Sequence, residues 1–276
     1  MTTLRDALYG AAVGDALGVP YEFCLRDAFA CTEMTGWGSW NKAPGTWSDD
    51  TSMLLATCDS LRVCEGEVNT EDMLSRFRAW RREGAYTVDG LFDIGNTTAT
   101  ALMSGQGLTD ERSNGNGSLM RIVPLAFTDA TDEEIAQVSA ITHGHRVSQE
   151  ACVNYVHIAR DLLAGKSLVA AVEGAPYQGH PFERLADIAK QGKEFPRDEV
   201  SSTGFVVHTI EAAIWCLAST ESYKECVLAA VNLGSDTDTT ACVAGALAGI
   251  VYGADAISEE WVQTLRGTDI IDSCLF

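Results

Sequence analysis

Residues 232–253 read NLGSDTDTTACVAGALAGIVYG. The second half is an apolar run in which Gly245 and Gly249 lie four apart among Ala241, Ala244, Ala246 and Ala248. Small side chains at helical spacing let one helix approach another closely at the centre of a bundle. The first half crowds carboxylates and hydroxyls just before that helix. Asp236 and Asp238 stand at i and i+2, a spacing that in an extended approach sends both side chains to one side. Thr239 adds a hydroxyl oxygen, and the helix is expected over 239–251. Any acidic group here is carried on a deeply held element.

The same design recurs at residues 45–53, GTWSDDTSM, where Ser48, Asp49 and Asp50 precede a helix expected over 51–64. Taken alone, Asp49-Asp50 is an ordinary N-cap with a neighbour that complements the helix dipole. The pair of segments changes this reading. If the two helix starts meet, four carboxylates converge and repel one another unless cations join them. Hard oxygen ligands without nearby His or Cys favour Mg²⁺ or Mn²⁺, with Ca²⁺ as an alternative, and two ions can share such a set.

The rest of the chain reads as helix and loop. Leu4, Leu8, Ala11 and Ala12 follow helical spacing, with Asp15 on the same apolar face. Further helices are expected over 70–83, with Met73, Phe77 and Trp80 on one face, and over 95–105, 132–141, 147–164, 182–192, 206–219, 222–232 and 258–266. The 147–164 helix presents Cys152, Tyr155, Val156, Ala159 and Leu163 to a core. Pro124 interrupts an apolar run over 117–128, and Pro176, Gly179 and Pro181 make 174–182 a loop. Period-two alternation is scarce, and no repeat or linker stands out. The expectation is an all-α chain forming one domain over residues 1–276.

Composition narrows the function. The 276 residues carry 19 Lys+Arg against 39 Asp+Glu, a net charge of −20. Such a body repels nucleic acid and anionic membranes, and an anionic ligand needs local help from metal ions, backbone N–H groups or helix N-termini. Hydrophobic residues make up 46%, enough for a large core without disulfides or a structural metal. The nine cysteines form no C-x-x-C pair and no zinc spacing, which fits reduced thiols in a cytoplasmic protein. Residues 7–19 resemble a signal-peptide core, but Asp15 interrupts the run, and no stretch reaches the ~18 apolar residues of a membrane span.

Three more segments hold candidate site residues. In Gly14–Glu22, Asp15 and Glu22 flank a turn containing Gly18 and Pro20; alone, Glu22 reads as a surface carboxylate. Asn114-Gly-Asn-Gly-Ser-Leu-Met-Arg121 offers glycines and N–H groups suited to a diphosphate, although most such loops are only turns. His143 sits in Ile-Thr-His-Gly-His, where a structural role is the commoner one. Neither a G-x-S-x-G elbow nor a nucleotide-binding glycine motif is present.

In this order, GAAVGDALGVPYE, GTWSDDTSM, DGLFDIGNTT, NGNGSLMRIVPLA, the Thr-His of ITHGH, GFVVHTIEAAIW and NLGSDTDTTACVAGALAG resemble the ADP-ribosylglycohydrolase family, from residue 5 to about residue 253. The resemblance implies a compact orthogonal helical bundle, two Mg²⁺ or Mn²⁺ ions and hydrolysis of the glycosidic bond joining ADP-ribose to a modified side chain or small acceptor. By motif match it implies metal ligands at Ser48, Asp49, Asp50, Asp236, Asp238 and Thr239, and a flexible glutamate at Glu22. It also implies a diphosphate and ribose loop at Asn116, Gly117 and Ser118, a cleft histidine at His143, and Asp93 and Asn96 near the adenosine or ribose side. Glu22, Asp49 and Asp50 are the catalytic candidates, with Asp50 or Glu22 handling the proton as water attacks the anomeric carbon. Ser48 stands where Thr is common and keeps the hydroxyl; Phe205 stands where Tyr is common and removes one. The implied partners are an ADP-ribosylated protein or small molecule and the ADP-ribose product. A silent member that only binds ADP-ribose or serves structurally is the rival reading, and a dinuclear phosphohydrolase is a more distant one.

Overall fold

The structure, a computed structural model, describes residues 2–276. Thirteen α-helices carry it: α1 Leu4–Gly18, α2 Asp49–Val63, α3 Thr70–Glu83, α4 Asn96–Ser104, α5 Asp132–Ala140, α6 Arg146–Leu163, α7 Leu168–Glu173, α8 Leu185–Gln191, α9 Val206–Ser219, α10 Tyr223–Val231, α11 Thr237–Tyr252, α12 Glu259–Thr264 and α13 Thr268–Ser273. The β-type pairing among the described residues is limited to isolated bridges such as Gly115 with Phe205. The all-α expectation holds.

Local chemistry sets the helix ends. Thr3 and Asp6 form a capping box at α1, and Thr131 and Glu134 form another at α5; each occupies two of the N–H groups that a helix start leaves without partners. Ser48 caps α2 through its side-chain oxygen, and Asn69 does so for α3. At the other end of α3, Gly84 takes the left-handed conformation with φ of 71°, which costs a glycine little. The expected faces are the buried ones: Met73, Phe77 and Trp80 on α3, and Cys152, Tyr155, Val156 and Ala159 on α6. Leu162 rather than Leu163 completes the buried face of α6, with Leu163 half-buried beside it.

The centre of the molecule is the contact between α1 and α11, both buried over most of their length. Their backbones touch through glycines. A Cβ on Gly10 would lie 2.3 Å from the Gly245 carbonyl oxygen, one on Gly14 2.1 Å from that of Ala241, and one on Gly18 2.4 Å from the Asp238 Cα. The spacing of four on α1 thus answers Gly245 and Gly249 on α11. This contact fixes the end of α1 against the start of α11, and α2 begins beside them.

The structure refines the sequence reading in its details. Asp236 stands at the N-cap position of α11 with non-helical backbone angles and Asp238 lies in its first turn, and oxygens of the two carboxylates lie within 4.8 Å of each other, on one side as expected. Helix formation begins early because the side chain of Thr240 and the backbone of Asp236 bond to each other across the first turn. The apolar run over 117–128 is turn and 3-10 helix, the latter spanning Val123–Phe127 with Pro124 near its start. The six-residue helices α7 and α13 are too short for a periodic pattern to mark them. All nine cysteines are free, and among the described residues no helix is long and apolar enough to cross a membrane.

Candidate active site

The starts of α2 and α11 meet at the end of α1. Ser48 Oγ accepts from the Asp50 N–H at 3.2 Å and donates to Asp50 Oδ2 at 2.9 Å. From the other helix, Thr239 Oγ1 donates to the same Asp50 oxygen at 3.3 Å. Asp238 Oδ1 accepts from the Thr239 N–H. Two buried oxygens, Asp50 Oδ1 and Asp238 Oδ2, have no hydrogen-bond partner. Buried polar atoms are normally paired, so an orphan asks for an explanation. Asp50 and Asp238 both lie in the first turn of their helices, near the positive ends of the helix dipoles, which offsets part of the cost.

Asp15 completes this centre from α1. Its carboxylate accepts from the N–H groups of Ser48 and Thr51 and from Thr51 Oγ1 at 2.6 Å. One oxygen each from Asp15, Asp50 and Asp238 lie within 4.8 Å of one another, and so do oxygens from Glu22, Asp236 and Asp238. The sequence signal for Asp15 was its place on an apolar helix face. Its partners are more than thirty residues away, so the role itself was not readable there.

Glu22 is buried rather than the surface residue its turn suggests. Trp40 Nε1 donates to Glu22 Oε2, and Trp40 packs between Phe23 and Phe92. Asp236 Oδ2 accepts from Asn116 Nδ2 at 2.8 Å, and Asn116 also donates to Thr209 Oγ1. This bond joins the glycine loop to the carboxylate cluster. Trp40 carried no sequence signal, and Thr209 stood only as one residue of the GFVVHTIEAAIW motif.

Electrostatics confirm the crowding. Burial, reinforced by neighbouring carboxylates, pushes Asp49, Asp50 and Asp238 well above the usual carboxylate range. Burial raises Asp15 to about 6 and Asp93 to about 6, with Asp236 adding to the shift at Asp93. Burial also raises Glu22 to about 8, helped by the charges of Asp93 and Asp236 and opposed by the Trp40 N–H. Asp236 is raised too, chiefly by burial, while the Asn116 amide pulls it down. Asp93, in a left-handed conformation at φ 50°, therefore belongs electrostatically with the carboxylates.

An open cleft of about 420 Å³ lies over this cluster, within the range of small-molecule sites. Glu22, Asp49, Asp93, Asp236 and Thr239 line one side; Asn96, Asn116, Gly117 and His143 line the rest. Ser118 behaves differently. Its hydroxyl is buried against Ser139 and Cys152, and the residue does not line the cleft. Among the described residues the N–H groups of Gly117 and Ser118 have no protein acceptor.

The chain is similar to known proteins along most of its length. A family model described as ADP-ribosylglycohydrolase matches residues 2–275. The ADP-ribosylarginine hydrolase Tri1 of Pseudomonas putida (strain GB-1) is 34% identical over 94% of this chain and 73% of its own length. The ADP-ribosyl-[dinitrogen reductase] glycohydrolase of Rhodospirillum rubrum is 31% identical over 94% of this chain and 88% of its own. A solved structure titled ADP-ribosylglycohydrolase-related protein complex superposes with a TM-score of 0.81 at 31% identity, covering 98% of this chain and 94% of that one. A match along the whole helical frame, together with the carboxylate-lined cleft, places the chain in the ADP-ribosylglycohydrolase family.

Proposed function

We propose that this chain is a divalent-metal-dependent hydrolase that releases ADP-ribose from an ADP-ribosylated side chain, with arginine as the first acceptor to test. The observation that carries this reading is the pair of orphaned oxygens, Asp50 Oδ1 and Asp238 Oδ2, in a cluster of buried carboxylates beneath a ligand-sized cleft. Such a cluster fits a hard cation and is unfavourable without one. The arginine preference rests on the printed activity of the Pseudomonas putida relative. The free cysteines fit a reducing cytoplasm.

Ser48, Asp49, Asp50, Asp236, Asp238 and Thr239 would hold two Mg²⁺ or Mn²⁺ ions, with Asp15 behind them bracing the start of α2. When bound, the ions supply Lewis acidity toward ribose hydroxyls and positive charge toward the cluster. The protein does the rest. The N–H groups of Gly117 and Ser118 would donate to diphosphate oxygens, and Asn116, tied to Asp236, sets the distance between that loop and the carboxylates. Asp93 and Asn96 border the ribose. Water attacks the anomeric carbon: its oxygen forms the new bond, the bond to the acceptor breaks, and the acceptor leaves with a proton. A carboxylate takes the proton from the water. Glu22 and Asp50 are the groups placed to do so, and Trp40 holds Glu22 in position.

The test is a panel of defined substrates, with arginine, serine, O-acetyl and DNA-base linkages, scored for free ADP-ribose with Mg²⁺, with Mn²⁺ and with EDTA. Release from the arginine linkage, abolished by EDTA, is the expected result. Binding of ADP-ribose with no release from any substrate would assign the chain to the silent members instead. Phosphate among the products would assign it to phosphohydrolases.

A further inference from the structure

Arg121 is fully buried, in a protein of net charge −20. The catalytic reading gives it no task, yet a buried guanidinium is costly unless its donors are used; its Nε has no partner, and both Nη groups are used. One Nη donates to the Gly117 carbonyl at 2.6 Å. The other donates to the Val138 carbonyl and, at 3.0 Å, to Thr142 Oγ1. The guanidinium lies over the Phe77 ring, 4.6 Å from its centroid. Arg121 therefore stands directly behind the ligand wall, holding the glycine loop on one side and the His143 turn on the other.

The contact with Thr142 has a consequence for His143. Thr142 Oγ1 lies 2.8 Å from His143 Nδ1, and both residues are buried. Arg121 has no acceptor, so Thr142 must accept from it. The hydroxyl's own proton then needs an acceptor, and Nδ1 is the one in reach. Nδ1 is thus unprotonated and the imidazole carries its proton on Nε2. Nε2 borders the cleft, 3.4 Å from where a Cβ on Gly115 or on Gly117 would stand, and among the described residues it has no hydrogen-bond partner. The opposite tautomer would strand the Thr142 proton in the interior and turn a bare lone pair toward an anionic ligand.

We propose that Arg121, acting through Thr142, locks His143 as the neutral tautomer with its N–H on Nε2, so that His143 is a fixed hydrogen-bond donor to an oxygen of the ligand in the cleft. Arg121 and Thr142 are positioning residues; His143 is the one that touches ligand. Burial, with the Arg121 charge, holds the imidazole down to about 3, so the donor is uncharged at any working pH. The same guanidinium grips the Gly117 carbonyl. Because C=O and N–H of one trans peptide point in opposite directions, this turns the Ser118 N–H away from Arg121. One buried cation thus orients two donors without presenting its own charge. The identity of the ligand rests on the proposed function; the tautomer does not.

The experiment labels the five histidines with ¹⁵N and records their two-bond spectra from pH 5 to 8, assigning His143 by His143→Gln. The wild-type protein should show a neutral Nε2–H pattern that does not titrate. Thr142→Val removes the hydroxyl at similar volume and should release the lock, giving mixed tautomers. With ADP-ribose as the probe, it should weaken binding by about fivefold, the scale of one ordinary hydrogen bond. Thr142→Ser should restore both. An Nδ1–H pattern in the wild type, titration near 6.5, or a Thr142→Val protein with unchanged tautomer and affinity would overturn the relay. A correct tautomer with unchanged ADP-ribose affinity would overturn the donor role. No binding of ADP-ribose by the wild type would count against the proposed function, while the spectra would still decide the tautomer.

Discussion

The two walls of the cleft are built on opposite electrostatic terms. The wall made by α1, α2, α11, their flanking turns and the loop before α4 gathers seven carboxyl groups, Asp15, Glu22, Asp49, Asp50, Asp93, Asp236 and Asp238, each pushed above its ordinary pKa. The wall made by residues 114–121 and 142–143 presents neutral donors and hides its one charge, Arg121, behind them. The first wall leaves carboxylate oxygens without partners; the second is braced by bonds from both Nη groups of Arg121, whose Nε alone has no partner. A protein can keep an unfavourable cluster when an external partner completes it, and the cluster then becomes a binding device. A wall that must meet the same ligand every time gains instead from being set in advance.

The largest effect that can break this comparison is on the acidic wall. Asp238→Asn removes a buried charge and the orphaned oxygen together. Under the proposed function, ADP-ribose release should fall by ~100-fold or more, as for other changes at electrostatic centres, while the circular-dichroism spectrum keeps its helical form. Removing one charge from a crowded cluster should raise the melting temperature of the metal-free protein. Full activity in this variant would remove the carboxylate cluster from the account.

A smaller effect comes from pH. Glu22 is raised from 4.5 to about 8, and Asp15 and Asp93 from 3.8 to about 6. A raised folded-state value means that the folded protein holds protons the unfolded chain has released. The resulting stability is present at low pH and is lost as pH rises through the folded values. His143 runs the other way, lowered from 6.5 to about 3, so its stability is gained as pH rises from 3 and is complete above 6.5. Between pH 7 and 8.5 Glu22 is the group left titrating among these. In EDTA the melting temperature should fall across that window, by on the order of a few degrees, and saturating Mg²⁺ should flatten the slope. A metal-free melt that is level or rising with pH would show that the acidic wall is not strained.

The smallest effect sharpens the other wall. A Cβ on Gly117 would meet His143 Cε1 at 2.9 Å and Thr98 Oγ1 at 3.1 Å. Gly117→Ala should therefore displace the loop slightly and weaken ADP-ribose binding several-fold, leaving metal affinity where it was. Equal losses in both would show that the walls are one mechanical unit rather than two.

The acidic wall was largely legible in the sequence, and the neutral wall was not. Ser48, Asp49, Asp50, Asp236, Asp238 and Thr239 stand out because helix-start chemistry is local, so two acidic starts in one chain are visible as text. Asp15 was visible only as an oddity, since the N–H groups it receives belong to another helix. Glu22 read as a surface residue because the indole that buries it, Trp40, lies eighteen positions on. Ser118 was expected in the cleft by motif match, but the turn buries the residue behind the lining. Arg121 and Thr142 lay within legible motifs, but their task was not readable because it is a contact between two loops. The helices followed the same rule: long amphipathic ones were legible, whereas α7 and α13 were too short to show a period. The glycines at 10, 14 and 18 became meaningful only when α11 supplied the backbone they touch.

The central claim is that the carboxylates of α1, α2 and α11 form a divalent-cation site. Calorimetric titration of Mg²⁺ and of Mn²⁺ into EDTA-treated, dialysed protein tests it most directly, with Asp238→Asn as the paired variant. The wild-type protein should bind the ions, and at a free concentration of 100 times Kd it should gain about 2.7 kcal/mol of stability per site. The variant should lose at least one of those binding events. No saturable binding by the wild type at millimolar ion, or identical isotherms for the two proteins, would contradict the account.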